Sequence, residues 1–247
     1  MRNLIAGLGI VLLLSTSGLL VEADPGVKRQ YLCGIAVGFP PYQYSDMSGG
    51  PAGIDYEIAK LVFSGAGLEV SFVQSDWDDV MFSLVHRTGK VDMLCGAEIS
   101  DMRKQLFDFS VPYYSRHTVL FTLENSRIRG ISDLYGKIVA GDRHSYIERK
   151  LGRNLELIRI KSTASKEESF RLLGNGKVEA VIAPKEVGIY ISRNMRMKTK
   201  IIEETDPGSP VAFAVAKGDL ELLKMINASL RKLMNEGKIE RILDRYR

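Results

Sequence analysis

The sequence predicts an α/β protein of two lobes, each with a sheet that carries helices on its faces. Short apolar runs alternate with amphipathic stretches from residue 31 onward, which is typical of βαβ units with a parallel sheet. A second series of the same kind follows residue 117. The 247 residues, 45% of them hydrophobic and 26% charged, are enough to bury the core of one large domain or of two small ones. Two α/β units joined by extended segments predict a cleft between them.

The first residues are predicted to be an export signal and not part of the fold. The basic start MRN precedes the apolar segment LIAGLGIVLLL (4–14), which is too short to span a bilayer comfortably. Small residues in VEA (21–23) match a signal-peptidase site, so we expect residues 1–23 to be removed. No cysteine follows that site, so we do not expect a lipoprotein. We therefore expect an exported, soluble protein.

The first series of predicted elements contains three strands and two helices. The strands are YLCGIAV (31–37), LEVSFV (68–73) and VDMLCGA (91–97). The helices are GIDYEIAKLVFSGAG (53–67) and WDDVMFSLVHRTG (77–89), which carry apolar residues at helical spacing.

The second series begins with the apolar run HTVLFTL (117–123). Its strands are KIVAGD (137–142), LELIRI (155–160), VEAVIAP (178–184) and KIIEE (200–204). Its helices are ISDLYG (131–136), SYIERKLG (145–152), KEESFRLLGNG (166–176) and EVGIYISRN (186–194). After PVAFAVAKGD (210–219), residues 220–247 are predicted to form one long helical stretch.

Charge and metal-ligand content argue against several functions. The net charge is +4, but basic and acidic residues alternate, whereas nucleic-acid-binding proteins concentrate basic residues in one patch. The three histidines are scattered along the chain, unlike the ligands of a zinc site. We therefore expect no nucleic-acid partner, no metal and no cofactor.

The two cysteines, Cys33 and Cys95, lie in strand-like runs. An exported protein can form disulfides. In parallel neighbouring strands, however, the predicted offset of about three residues, at ~3.3 Å each, exceeds bridging distance. We therefore favour two buried thiols over a disulfide.

Arg103 is the first candidate for a binding residue. It follows the apolar strand VDMLC (91–95), and ligands of open α/β sheets bind beyond the C-terminal ends of strands. Ser145, at the start of a predicted helix, occupies the corresponding place in the second lobe. A guanidinium group opposite a helix N-terminus makes a site for an anion, most simply a carboxylate.

The blocks FPPY (39–42), GIDYEIAKLV (53–62) and DWDDVMFSLVHRTGKVDMLCGAEISDMRKQLFDFSVPYY (76–114) resemble those of the family 3 extracellular solute-binding proteins, the amino-acid receptors of ABC importers. The segment VAFAVAKGDLELLKMINASLRKLMNEGKIERILDRY (211–246) resembles the C-terminal part of that family. The likeness implies a fold of the type II periplasmic-binding-protein kind, with two α/β lobes, a ligand cleft and two hinge crossings.

The resemblance also implies where the lobes divide. Lobe 1 would contain residues 26–117 and 214–247, and lobe 2 would contain residues 118–213. The hinge crossings would be RHTVLFT (116–122) and PVAFAVA (210–216).

The resemblance implies binding roles for five residues at matching positions. Arg103 would bind the ligand α-carboxylate through two parallel hydrogen bonds, and Ser145 would complete that carboxylate pocket. Phe39 and Trp77, which could otherwise be ordinary core aromatics, would enclose the ligand side chain between their rings. Gly96 would offer a backbone carbonyl near the ligand amine.

Four positions depart from the family pattern and bear on ligand identity. Ala36 stands where receptors for cationic amino acids can carry an aspartate. Pro184 stands where the family usually has an aspartate that pairs with the ligand ammonium. Glu98 stands where serine or threonine is common, and it either replaces that aspartate or forms a structural ion pair with Arg103. His144, at a position that is usually glycine, either contacts the ligand or only begins a helix.

The favoured function is a monomeric, non-enzymatic receptor that captures a small carboxylate-bearing solute, such as an amino acid, for the permease of an ABC importer. One alternative is an enzyme similar to periplasmic cyclohexadienyl dehydratases, with Glu98 or Glu186 as general acid. A second alternative is a sensory module that reports a ligand to a membrane partner.

Overall fold

The computed structural model describes residues 29–141, 157–203 and 208–246, which form a mixed α/β architecture with two large sheets and one small sheet. The strands are β1 Gln30–Ala36, β2 Gly38–Phe39, β3 Gln43–Ser45, β4 Pro51–Ala52, β5 Glu69–Ser75, β6 Met93–Glu98, β7 Phe107–Phe109, β8 Tyr114–Arg116, β9 Thr118–Leu123, β10 Ile138–Ala140, β11 Arg159–Lys161, β12 Ala180–Pro184, β13 Thr199–Glu203 and β14 Ser209–Ala216. The α-helices are α1 Ile54–Ala66, α2 Trp77–Val85, α3 Asp101–Leu106, α4 Lys166–Gly174, α5 Lys185–Asn194, α6 Leu220–Asn235 and α7 Lys238–Asp244, and a 3-10 helix spans Ile131–Leu134.

The first large sheet has the strand order β5-β1-β6-β14-β7, and β8 also pairs with β14. Strands β5, β1 and β6 are parallel, as the βαβαβ pattern predicts, and β14 runs antiparallel to β6. Helix α1 begins after Gly53 with two acidic residues in its first turn, and it ends at Gly67 in the left-handed conformation. This parallel arrangement brings the C-terminal ends of β1 and β6 to one edge of the sheet.

The second large sheet has the order β11-β10-β12-β9-β13. Strands β11, β10 and β12 are parallel, whereas β9 pairs antiparallel with both β12 and β13. The prediction of two α/β lobes is therefore confirmed. Among the described residues, no helix is long and apolar enough to cross a bilayer.

The chain passes between the two large sheets at two places. The first is His117, which separates β8 of the first sheet from β9 of the second, inside the predicted segment 116–122. The second lies between β13 and β14, and therefore before the predicted segment 210–216. All of β14 pairs within the first sheet and its centre is fully buried, so residues 209–213 lie in that sheet.

The prediction of two free thiols is wrong, because Cys33 and Cys95 form a disulfide. Cys33 lies opposite Met93 in the parallel pair of β1 and β6, which makes the offset to Cys95 two residues. The two Cα atoms are 6.4 Å apart, within the normal range for a disulfide. Cys95 also lies within β6 and not at its end, so the bond joins the two central parallel strands.

The predicted C-terminal helical stretch is divided into two helices. Helix α6 ends at Asn235, and α7 starts after Gly237, whose φ of 64° is left-handed. Both helices bury apolar residues; those of α6 include Leu222, Ile226 and Leu230. Helix α6 packs on α1, where the Ser229 hydroxyl donates to the Val62 carbonyl at 2.7 Å.

Candidate functional site

A cavity of about 410 Å³ lies beyond the C-terminal ends of β1 and β6, at the edge where a ligand site is expected. Five of the residues predicted from the sequence line it: Phe39, Trp77, Gly96, Glu98 and Arg103. Six further residues also line it: Ala36, Val37, Gly38, Gln43, Asp76 and Arg116. The structure therefore brings together the predicted first-lobe residues, and it adds a second arginine.

Arg103 projects from α3, whose first turn is capped by Ser100. Its Nη1 donates to the backbone carbonyl of Glu98 at 3.0 Å, and its guanidinium lies 5.6 Å from the ring centre of Trp77. Among the described residues, no carboxylate forms an ion pair with it. Burial lowers the pKa of Arg103 below its usual value, because desolvation disfavours the cation. Nearby negative charges, such as that of Glu98, offset this effect only in part. The guanidinium is thus a partly buried cation whose remaining N–H groups are suited to a carboxylate.

The Glu98 carboxylate forms an ion pair with Arg116, and none with Arg103. Its Oε1 is 3.6 Å from Nη1 of Arg116, and the side chain is 36% exposed. No hydrogen bond from the described part of the chain reaches the carboxylate oxygens. The predicted alternative of a Glu98–Arg103 ion pair is therefore wrong in this structure.

Arg116 is a buried guanidinium at the floor of the cavity, with only 5% of its surface exposed. Its Nη2 donates to Asp55 at 2.5 Å and its Nε donates to the Tyr114 hydroxyl at 3.0 Å. Rings of Phe39 and Tyr42 flank it, at 5.2 and 4.3 Å from their centres. Burial alone would lower the pKa of Arg116, but the surrounding oxygens, including those of Tyr114, Asp55 and Glu98, raise it above its usual value. Arg116 is therefore charged at all ordinary pH values.

Asp55 is the anionic centre of this buried network and has no exposed surface. Besides Arg116, it accepts hydrogen bonds from Gln43 at 2.8 Å, Tyr114 at 2.8 Å and Tyr113 at 3.3 Å. Burial raises the pKa of Tyr113 and of Tyr114 well above the usual value, so both phenols stay neutral and donate. The network fixes α1, β3 and β8 around the cavity floor.

Gly96 is the point where this network meets β6. Its φ is 64°, and a Cβ there would lie 2.0 Å from Oδ2 of Asp55 and 2.2 Å from Nε2 of Gln43. No side chain larger than hydrogen fits this position. The Gly96 carbonyl accepts a long hydrogen bond of 3.4 Å from Gln43, and its N–H donates to the Tyr113 hydroxyl at 3.0 Å. The carbonyl predicted to face a ligand amine is thus already partly engaged.

Of the second-lobe residues predicted for the site, His144 and Ser145 lie outside the described residues. Pro184 ends β12 and precedes α5, so this position has no side-chain acceptor for an ammonium. Glu186, the other candidate for a general acid, accepts a hydrogen bond from Tyr42 at 2.5 Å. It does not line the cavity that holds Arg103.

Sequence analysis missed Arg116 and Asp55 as site residues. One signal was available for Asp55, because it lies one residue after Ile54 and three before Ile58, on the apolar face of its helix. An acidic side chain on a buried face requires a partner, since an unpaired buried charge is costly. Arg116 had no such signal, because its partner lies 61 residues away in the sequence.

Comparison with known proteins identifies the family of this chain. The sequence profile of the bacterial extracellular solute-binding proteins, family 3, matches residues 31–247. The L-cystine-binding protein TcyJ of Escherichia coli K12 is 21% identical over 250 residues, which cover 97% of this chain and 93% of that protein. A probable histidine-binding protein of Campylobacter jejuni is 23% identical over 217 residues, which cover 86% of this chain and 83% of that protein.

Solved structures show the same fold. An ancestral arginine-binding protein bound to glutamine superposes with a TM-score of 0.72 at 30% identity, over 89% of this chain and 98% of that one. A histidine kinase sensor domain with similarity to periplasmic binding proteins gives a TM-score of 0.75 at 26% identity, over 89% of this chain and 96% of that one. The two lobes therefore have the type II periplasmic-binding-protein fold, and the chain belongs to the bacterial extracellular solute-binding proteins of family 3.

Proposed function

We propose that the cavity binds a small solute through its carboxylate, and that the solute is an amino acid or a related compound. The observation that carries this proposal is Arg103, a partly buried guanidinium with no carboxylate partner among the described residues. A planar fork of N–H donors matches a carboxylate through two parallel bonds. Trp77 and Phe39 line the same cavity and offer ring faces to the rest of the solute.

The ligand ammonium would pair with Glu98. Pro184 offers no acceptor, whereas the Glu98 carboxylate lines the cavity and accepts no hydrogen bond from the described residues. A buried ammonium needs a countercharge, because its desolvation is otherwise uncompensated. Glu98 and Arg103 would thus provide one negative and one positive group, as a zwitterion requires.

The protein would deliver this solute to the permease of an ABC importer. Export by residues 1–23 would place it in the periplasm, and binding would draw the two lobes together about the two crossings. The two relatives reported above are named as an L-cystine-binding protein and a probable histidine-binding protein, which supports an amino-acid ligand. This role requires no chemical step and no oligomer.

Structural similarity to the histidine kinase sensor domain favours a second candidate, in which the same binding event is reported to a signalling partner. Uptake of the radiolabelled ligand separates the two. Cells without this protein would lose high-affinity uptake if it serves an importer, and they would keep it if it only senses.

The enzyme alternative needs a carboxyl group beside the bound substrate. Of its two candidates, only Glu98 lines the cavity that contains Arg103. Incubation with prephenate or arogenate tests it directly, because product would appear only if the protein turns the substrate over.

A thermal-shift panel of amino acids, their deaminated analogues, dicarboxylates and aromatic acids tests the proposed ligand class. A ligand at 100 times its Kd stabilises the folded state by about 2.7 kcal/mol. For a chain of this size, that free energy raises Tm by roughly 5–10 °C. We expect such a shift with at least one amino acid and a smaller one with the analogue that lacks the amine. No shift with any carboxylate would contradict the proposal.

A further inference from the structure

Two guanidinium groups and two carboxylates, those of Glu98 and Asp76, line the same cavity, and this combination is more than an amino-acid carboxylate requires. Arg103 faces the cavity without a carboxylate partner among the described residues. Arg116 lines the floor, and Glu98 lies between the two, with its carboxylate 3.6 Å from Arg116 and its carbonyl 3.0 Å from Arg103.

The donors of Arg116 are only partly used. Its Nε bonds to Tyr114 and its Nη2 bonds to Asp55, so two of its three nitrogen atoms are held inside the protein. The third, Nη1, is the atom that approaches Glu98, at a distance longer than a hydrogen bond. Nη1 is therefore positioned to donate to an anion at the cavity floor. In this structure the Glu98 carboxylate is the anion beside it, attracted by charge but too distant for a hydrogen bond.

We propose that Arg116 is a second carboxylate-binding group of this cavity and that Glu98 masks it, so that the Glu98–Arg116 pair selects zwitterions over dicarboxylates. Only the preference for zwitterions rests on the proposed function; the role of Arg116 as a carboxylate-binding group does not. With Glu98 ionised, a second ligand carboxylate at the floor meets a like charge, whereas an ammonium meets a countercharge. With Glu98 neutral, Arg103 and Arg116 together match a dicarboxylate.

Charge balance supports this assignment. Asp55 neutralises Arg116 on the side away from the cavity. It is fully buried, and its carboxylate oxygens already accept hydrogen bonds from four donors. It therefore cannot move into the cavity to replace Glu98. Among the residues that contact Arg116, Glu98 is the carboxylate with exposed surface, so it sets the charge that a ligand meets beside Arg116.

The test compares pairs of probes that differ in one group. In methylmalonate and benzylmalonate, a carboxylate replaces the ammonium of alanine and of phenylalanine. Calorimetric titrations of these four compounds into the wild type and into Glu98→Gln should show malonate binding at least about tenfold tighter in the variant, because like-charge repulsion at the floor is removed. Amino-acid binding should weaken by a similar factor.

Asp101→Asn is the charge-matched control, since this carboxylate is 98% exposed and lies two residues from Arg103. We expect it to leave both affinities unchanged. Equal malonate affinity in wild type and Glu98→Gln would overturn the inference, as would an equal gain in Asp101→Asn. If the wild type binds no amino acid, the proposed function fails, and the malonate comparison still decides the role of Glu98.

Two measurements assign the gain to Arg116. In the triple variant Glu98→Gln/Asp55→Asn/Arg116→Gln, which removes the buried pair as a unit, the malonate gain should disappear. Because that variant could fold poorly, the Nε resonance of Arg116 is followed by NMR in Glu98→Gln during methylmalonate titration. A shift of that resonance at saturation is expected, and a resonance that stays in place would overturn the assignment.

Discussion

Removing either partner of the buried Asp55–Arg116 pair should destabilise the protein strongly, and removing both should cost less than the sum of the two single losses. Asp55 has no exposed surface and contacts Arg116 at 2.5 Å, so Asp55→Ala leaves a buried guanidinium without its main countercharge. Breaking a buried pair in this way costs about 3–5 kcal/mol. At the size of this chain, that loss lowers Tm by roughly 6–20 °C. Arg116→Met, which keeps the aliphatic stem, should cost about as much, because it leaves Asp55 unpaired.

The double variant Asp55→Ala/Arg116→Met should be more stable than the sum of the two losses by about 2 kcal/mol or more. Urea unfolding followed by circular dichroism measures all four free energies. The exposed pair Asp101–Lys104, with side chains 98% and 59% exposed, is the control, and its disruption should cost at most about 0.5 kcal/mol. Additive losses in the Asp55–Arg116 cycle, or losses no larger than those of the control pair, would refute this account of the network.

Three further predictions concern the same lobe. Replacing both Cys33 and Cys95 by alanine should cost about 4 kcal/mol, because the bond closes a loop with a sequence separation of 62; an unchanged denaturation midpoint would contradict this. Gly96→Ala should lower the stability by about 2 kcal/mol more than Gly89→Ala, since both have positive φ but only the first brings a Cβ into contact with Asp55; calorimetric Tm values test it. Burial raises the pKa of Tyr42, Tyr113 and Tyr114 above the usual 10.0, so the folded state holds these protons more tightly than the unfolded state. Their contribution to stability is complete below pH 10.0 and should fall as the pH rises above it, which unfolding at stepped pH would reveal.

Local sequence patterns were enough to predict the α/β order and to single out Arg103, which lines the cavity. Apolar runs and helical spacing identify the strands and helices that converge at the cavity. Because Arg103 lies shortly after the end of β6, it could be predicted as a binding residue. The resemblance to the solute-binding family then assigned roles to Phe39 and Trp77, which composition alone would have left as core residues.

Features that depend on how distant segments meet could not be predicted. The disulfide depends on the register of β1 against β6, and a shift of one residue decides whether Cys33 reaches Cys95. Arg116 reaches Asp55 only because β8 joins the first sheet beside β14. The sequence of strand β14 carries no local sign of the sheet in which it pairs.

The most direct test of the proposed carboxylate site is a calorimetric titration of the amino acid selected by the thermal-shift panel into wild type, Arg103→Lys and Arg103→Ala. The Arg103 guanidinium binds no carboxylate among the described residues, so its loss should not disturb a structural ion pair. We expect Arg103→Ala to weaken binding about a hundredfold or more, and Arg103→Lys to recover only part of the loss, because an ammonium cannot present two parallel donors. Affinity in Arg103→Ala equal to that of the wild type would contradict a carboxylate site at Arg103.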